Sequence, residues 1–167
     1  VMASDILHEL KRCDALPIEY LILETSADLK DRQYQILKNN HPDFIDRIKW
    51  LDVLPIDPFC GVVLANEVLD AIPVKRFIKL NDKLGEIKVG FDDGEFCWHI
   101  DENLDNRLGR EINKRLEGHL ISLEAGYQSE INFLMEPYIR SLSSIMSKGV
   151  ILLIDYGYNR KEYYHPQ

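Results

Sequence analysis

The sequence predicts an α/β fold, a mostly parallel sheet flanked by helices, and three features carry that reading. Apolar runs without alternation recur at residues 18–23 (IEYLIL), 62–65 (VVLA) and 150–154 (VILLI), the pattern of strands covered on both faces. Segments with helical spacing separate them, in the alternating order of a wound sheet. Each run then meets an acidic or amide residue, Glu24, Asn66 and Asp155. In an open α/β sheet those carboxyl ends of strands are where ligands bind.

The chain opens on helical spacing: Ala3, Ile6, Leu7, Leu10 and Cys13 recur on one face, and Pro17 forbids continuation. After the first apolar strand, Ser26 is placed to cap a helix whose first turn holds Asp28 and whose apolar positions are Leu29, Tyr34, Ile36 and Leu37. Asn39-Asn40-His41-Pro42 closes it. Residues 45–51 (IDRIKWL) predict a short strand or its lead-in, delivering Asp52, and Pro55 and Pro58 mark the loop before the strand that ends at Asn66. A helix-like segment is expected after Asn66-Glu67, with Asn66 available as its cap. That helix would set Glu67 and Asp70 on neighbouring positions of one face.

From Pro73 the character changes. Residues 75–80 and 86–91 are strand-like about the turn-forming residues 81–85, Asp92-Asp93-Gly94 starts another reversal, and residues 95–100 (EFCWHI) return. Residues 74–100 therefore predict an antiparallel β-meander inserted into the α/β frame and walling the acceptor side of a site, the whole insertion running over about residues 74–126. Residues 101–116 are expected as a charged helix and 118–126 as a loop or short strand. Residues 129–147 read as one helix, with Ile131, Leu134, Met135, Tyr138, Ile139, Leu142 and Ile145 at helical spacing, a kink at Pro137 and an end at Gly149.

At 167 residues, 46% of them hydrophobic, the chain is sized for a single domain, 1–167, carrying that insertion. Its 20 Lys and Arg against 28 Asp and Glu leave a net charge of −8, which disfavours nucleic acid as a partner and favours cationic substrates. No apolar run approaches the roughly 18 residues of a membrane span, and no secretory signal pattern opens the chain, so a soluble intracellular protein is expected. Cys13, Cys60 and Cys97 form no CxxC pair. They are expected as small buried or half-buried residues, with neither a disulfide framework nor a metal site.

Acidic residues after successive strands make a polar rim suited to an adenosine cofactor. A carboxylate at Glu24 can accept both hydroxyl hydrogens of a ribose, and Asp52 can accept from an adenine amine. In nucleotide folds the ribose-binding acid lies about 20 residues beyond a Gly-rich turn at the first strand. Counting back from Glu24 reaches the start of the sequence, so the turn and its strand are expected just upstream of Val1. In the sheet that strand would lie between the strand ending at Glu24 and the strand ending at Asn66.

The blocks ILETSADLKDRQ, LANEVLDAIPVKRF and LLIDYGY together resemble the MidA-like family of S-adenosylmethionine-dependent methyltransferases, which includes a mitochondrial complex I assembly factor, and the likeness spans nearly the whole chain. The resemblance implies a class I methyltransferase (Rossmann-like) fold with an inserted substrate region and S-adenosyl-L-methionine as cofactor. It also implies arginine methylation of a protein linked to respiratory complex assembly, in the cytoplasm of a bacterium or the mitochondrial matrix of a eukaryote. Glu24, with Thr25 and Ser26 beside it, matches the ribose-binding acid, Asp52 and Val53 match the adenine side, and Asn66-Glu67 matches the post-strand motif beside the methyl donor. The family's Gly-rich loop is not in this sequence. Amino-group methyltransferases of nucleic acids resemble Asn-Pro-Pro-Tyr where this chain has Asn66-Glu67-Val68-Leu69, which counts against a base as acceptor.

Asn66, Glu67 and Asp70 are accordingly the candidate catalytic residues, the two carboxylates being suited to grip a planar guanidinium. Two other readings stay open. A nicotinamide-dependent oxidoreductase would use Glu24 on an NAD ribose equally well, and a non-catalytic assembly chaperone would keep the scaffold for partner binding alone.

Overall fold

The computed structural model describes residues 2–116 and 123–165. In chain order the elements are α1 (Met2–Arg12), β1 (Tyr20–Leu23), α2 (Ala27–Asn40), a 3-10 turn (Ile45–Arg47), β2 (Ile48–Leu51), β3 (Phe59–Asn66), β4 (Lys75–Lys79), β5 (Leu84–Asp92), β6 (Glu95–Asp101), α3 (Asn106–Arg115), β7 (Gln128–Ile131), α4 (Met135–Ser144), β8 (Met146–Ile154) and α5 (Arg160–Tyr163). They fall into two compact units, Val1–Phe59 and Cys60–Gln167. Among the described residues no helix is long and apolar enough to cross a membrane.

In the first unit β1 and β2 run parallel, in register from Tyr20 on Ile48 to Leu23 on Leu51, with α2 in the connection between them. Leu7, Leu37, Phe44 and Ile48 form the core, with Tyr20, Ile22 and Trp50 packed against it. The apolar run starts pairing only at Tyr20, and Ile18 is exposed, because the residues ahead of Ile48 are spent on the 3-10 turn and offer no strand opposite. Ser26 caps α2 as predicted, its Oγ accepting from the Leu29 N–H at 3.4 Å. His41 closes the helix through its N–H to the Leu37 carbonyl at 2.8 Å. The buried Ser4 and His41 satisfy each other, Ser4 Oγ lying 3.0 Å from His41 Nε2. Ser26→Ala is expected to lower the unfolding free energy by about 1 kcal/mol, the usual cost of an N-cap. A urea titration followed by circular dichroism checks it.

In the second unit the predicted meander forms: β4, β5 and β6 are antiparallel neighbours, and β7 adds to the other edge of β4, giving the order β6-β5-β4-β7. Asp93 and Gly94, with φ of 49° and 86°, make the two-residue turn between β5 and β6. One face of this sheet is sealed by α3, with Phe77, Leu108, Ile112, Leu116 and Ile131 in a common core. The β5–β6 hairpin extends past its pairing with β4 and exposes Val89, Phe91, Phe96 and Trp98. Phe91 meets Phe96 edge-on at 5.2 Å, and the Arg76 guanidinium lies 4.5 Å from the Trp98 ring centre.

Residues 129–147 are not one helix. Gln128–Ile131 is strand β7, whose Ile131 is fully buried in the sheet core. Asn132 Oδ1 then accepts from the N–H groups of Leu134 and Met135 at 2.9 and 2.8 Å, so helix α4 begins only at Met135. Pro137 therefore falls in the first turn, where no N–H is needed and no kink follows. Gly149 sits inside β8 rather than at a helix end, because a Cβ there would lie 1.9 Å from the Gly61 carbonyl oxygen of β3.

β3 pairs with β8, and among the described residues β1 pairs with β2 alone. Helix α4 packs on β8. The two-sided coverage predicted for these strands is nevertheless not met: Ala65 is buried, but Val62, Val150, Leu152 and Ile154 are exposed. The helix expected from residue 101 starts at Asn106, because the Asp105 carboxylate caps it by accepting from the Arg107 N–H at 2.7 Å, while Asp101 ends β6. Residues 118–122 of the predicted loop lie outside the described residues. Cys13 and Cys60 are exposed rather than half-buried, and only Cys97 is partly covered; Cys13 falls just past the end of α1.

Candidate functional site

The residues expected on the cofactor side lie in the first unit, at the carboxyl ends of β1 and β2. Glu24 follows β1 and stays in the ladder through its N–H to the Leu51 carbonyl at 3.0 Å. Its carboxylate is oriented from two sides: Oε1 accepts from the Ser26 N–H at 2.9 Å and Oε2 from Gln33 Nε2 at 3.2 Å. Gln33 is itself fixed, since its Oε1 accepts from the Trp50 indole N–H at 2.8 Å, and Tyr34 meets the same indole edge-on at 5.9 Å. A relay from β2 through α2 thus sets the rotamer of Glu24. Thr25 is exposed in the turn. Asp52, exposed after β2, is paired with Lys30 of α2, and Val53 beside it is exposed. The small cleft lined by Leu7, Lys11, Leu16, His41, Asp43, Phe44 and Arg47 contains none of these residues.

The residues expected to be catalytic lie in the second unit, after β3. No helix follows Asn66. Glu67 takes φ of 50°, and residues 69–72 make a single turn closed by the Ile72 N–H on the Leu69 carbonyl at 3.2 Å. Glu67 in the left-handed region interrupts the backbone ahead of the turn and Pro73, which has no N–H, bars continuation, so the Leu69 and Asp70 N–H groups, which donate to Asp155 Oδ2 at 3.0 and 3.2 Å, open one turn and no helix. Asn132 Nδ2 secures the far end of the turn on the Ile72 carbonyl at 3.4 Å. Asn66, Glu67 and Asp70 are exposed, and Asn66 caps nothing.

Asp70 pairs neither with Lys75, which bonds Glu86 at 3.0 Å, nor with Arg76, which donates to Gln128. It accepts instead from the Tyr156 hydroxyl at 2.8 Å. That hydrogen bond is the main reason the Tyr156 phenol is pushed above its ordinary pKa, with the charges of Asp70, Asp155 and Glu67 acting in the same direction. The strand ends therefore carry three carboxylates whose charges act on one phenol, Asp70 in direct contact with it, which makes this corner negatively charged. Among the described residues no group of His, Cys, Asp and Glu is arranged to hold a metal ion.

Gln33, Trp50, Asn132, Asp155 and Tyr156 were not predicted as site residues. Gln33 ends the block ILETSADLKDRQ, and Asp155 and Tyr156 lie in LLIDYGY, so the resemblance already covered three of the five without assigning them roles.

Comparison with curated proteins gives no match. Among solved structures, a COG1565 superfamily member from Burkholderia thailandensis bound to S-adenosyl-homocysteine is similar over 99% of this chain, at 34% identity and a TM-score of 0.85. A native crystal structure of a COG1565 superfamily protein from the same organism matches over 99% at 34% identity and a TM-score of 0.84. The chain spans 41% and 42% of the lengths of those proteins. Residues 1–167 match the family described as "Putative S-adenosyl-L-methionine-dependent methyltransferase". The chain belongs to that methyltransferase family, Methyltransf_28.

Proposed function

We propose that this chain is part of an S-adenosyl-L-methionine-dependent methyltransferase whose acceptor is a protein side chain, arginine before any other. The observation that carries the proposal is the acidic corner at the ends of β3 and β8, where Asp70 accepts from the Tyr156 hydroxyl at 2.8 Å and the charges of Asp155 and Glu67 are felt at the same phenol, in a family whose Burkholderia relative binds S-adenosyl-homocysteine. A cationic, hydrogen-bond-donating group is the natural occupant of such a corner.

The residues present fit the cofactor. Each oxygen of Glu24 already accepts one protein hydrogen bond and keeps a second acceptor position for a ribose hydroxyl. When bound, S-adenosyl-L-methionine supplies an electrophilic methyl group on a sulfonium. Asp52, its charge balanced by Lys30, is offered to the adenine amine. Glu67, whose carboxylate has no hydrogen-bond or ion-pair partner among the described residues, accepts two N–H groups of the guanidinium, orients its nitrogen and is there to take the proton released. The exposed aromatic face of the β5–β6 hairpin supports a macromolecular acceptor, since a small molecule needs no such surface. The resemblance to the MidA-like family extends the proposal to a subunit of a respiratory complex.

The deciding experiment is calorimetric titration of the full-length protein with S-adenosyl-L-homocysteine and with NAD, joined to transfer of labelled methyl groups to a peptide library centred on arginine and a matched library centred on lysine. NAD binding alone would replace the proposal with an oxidoreductase. Cofactor binding without transfer to either library would favour the assembly chaperone. Gln33→Leu, which releases one oxygen of Glu24, is expected to weaken S-adenosyl-L-homocysteine binding by about tenfold, the scale of one hydrogen bond to a charged group. The same titration measures it.

A further inference from the structure

We infer that Asp155 and Tyr156 are positioning residues that hold the acceptor carboxylates in place, an inference that rests on the methyltransferase reading above. The segment after β3 has no helix to stiffen it, and Glu67 sits in the left-handed region that a residue with a Cβ rarely adopts unless its surroundings impose it. Those surroundings come from consecutive residues at the end of β8. The Ile154 carbonyl accepts from the Glu67 N–H at 2.8 Å. Asp155 Oδ2 accepts from the N–H groups of Leu69 and Asp70 at 3.0 and 3.2 Å, and the Tyr156 hydroxyl donates to Asp70 Oδ2 at 2.8 Å.

The second oxygen of Asp155 is shut away from solvent and accepts no hydrogen bond among the described residues. Asp155 is bonded through its other oxygen to the turn's own amides, and a side chain without an acceptor would leave both amides unbound. The result is a division of labour. Asp70 is tied down through one oxygen, while Glu67 keeps its whole carboxylate for the acceptor at a position that the end of β8 dictates.

The test compares Asp155→Ala, Asp155→Asn and Tyr156→Phe in the full-length protein. Three readouts are taken: amide hydrogen exchange at Leu69 and Asp70, S-adenosyl-L-homocysteine affinity, and kinetics on the arginine-centred library. In Asp155→Ala the two amides should exchange at least about tenfold faster and kcat should fall by about tenfold or more, with cofactor affinity within about twofold. Asp155→Asn keeps an acceptor oxygen and should restore both protection and most of the turnover. Tyr156→Phe should raise KM for the peptides about fivefold with kcat nearly unchanged, because it loosens a binding carboxylate without moving Glu67.

Unchanged exchange at Leu69 and Asp70 in Asp155→Ala overturns the inference, as does lost protection with wild-type kcat. Equal damage in the Asn and Ala variants, with faster exchange across the whole unit, would mean general destabilisation and would overturn it too. A wild-type protein that fails to bind S-adenosyl-L-homocysteine defeats the methyltransferase reading instead, and the exchange comparison still decides whether Asp155 holds the turn.

Discussion

Glu67→Gln in the full-length protein is expected to lower methyl transfer by about a hundredfold or more while S-adenosyl-L-homocysteine affinity stays within a few-fold. The substitution keeps the size and shape of the side chain and removes one negative charge from a corner that also holds Asp70 and Asp155. A guanidinium would lose its charged, bidentate partner, and an amide can neither match that contact nor take up the released proton. Loss of one preorganised charged contact costs about 10² in rate, close to 3 kcal/mol of barrier. Glu24 and Asp52, the residues assigned to the cofactor, are untouched, so the titration should barely move. Kinetics on the arginine library beside calorimetry separates the outcomes: parallel loss of binding and turnover would assign Glu67 to the cofactor, and unchanged turnover would remove it from the reaction.

Gly149→Ala is expected to destabilise the second unit by about 3 kcal/mol or more, or to yield insoluble protein. The added Cβ would lie 1.9 Å from the Gly61 carbonyl oxygen and 2.9 Å from its carbon, and both are backbone atoms of a paired strand that cannot swing aside. The Met146 methyl at 2.4 Å is the end of a flexible side chain and can yield. Its φ of 153° adds strain for any residue with a Cβ. Guanidinium unfolding of the purified variant against wild type measures the effect, and a difference within about 0.5 kcal/mol would show that β3 and β8 do not meet at Gly61 and Gly149 in solution.

Much of the fold was legible because its signals are local. Ser26 followed by Asp28 announces a helix start whatever the rest of the chain does, and Ser26 does cap α2. Asp93-Gly94 demands a tight reversal between strands of alternating face, and the β5–β6 hairpin forms there. The stretch 129–147 misled because apolar residues three and four apart look helical even when some belong to a strand. Ile131 faces the sheet core, Leu142 and Ile145 pack from or beside a helix, and the boundary at Asn132 depends on a side chain taking two backbone amides. The helix expected after Asn66 stops at a single turn because Pro73 withholds the next N–H, and the carboxylate that takes the Leu69 and Asp70 amides comes from another strand.

By itself the sequence determined the alternation of strands and helices, the antiparallel meander, and the placing of Glu24, Asp52 and Asn66-Glu67 at or just beyond strand ends, since periodicity, caps and breakers act within a few residues of one another. The blocks that carry the family resemblance were equally plain in it. Only the tertiary structure decided what those residues touch: that Gln33 and Trp50 orient Glu24, that Lys30 pairs with Asp52, and that Asp70 belongs to Tyr156 rather than to Lys75 or Arg76. The physical reason is separation along the chain. Leu69 and Asp155 are 86 positions apart, as are Asp70 and Tyr156, and a hydrogen bond between such partners leaves no local mark on either, because it exists only once β3 and β8 have been brought side by side.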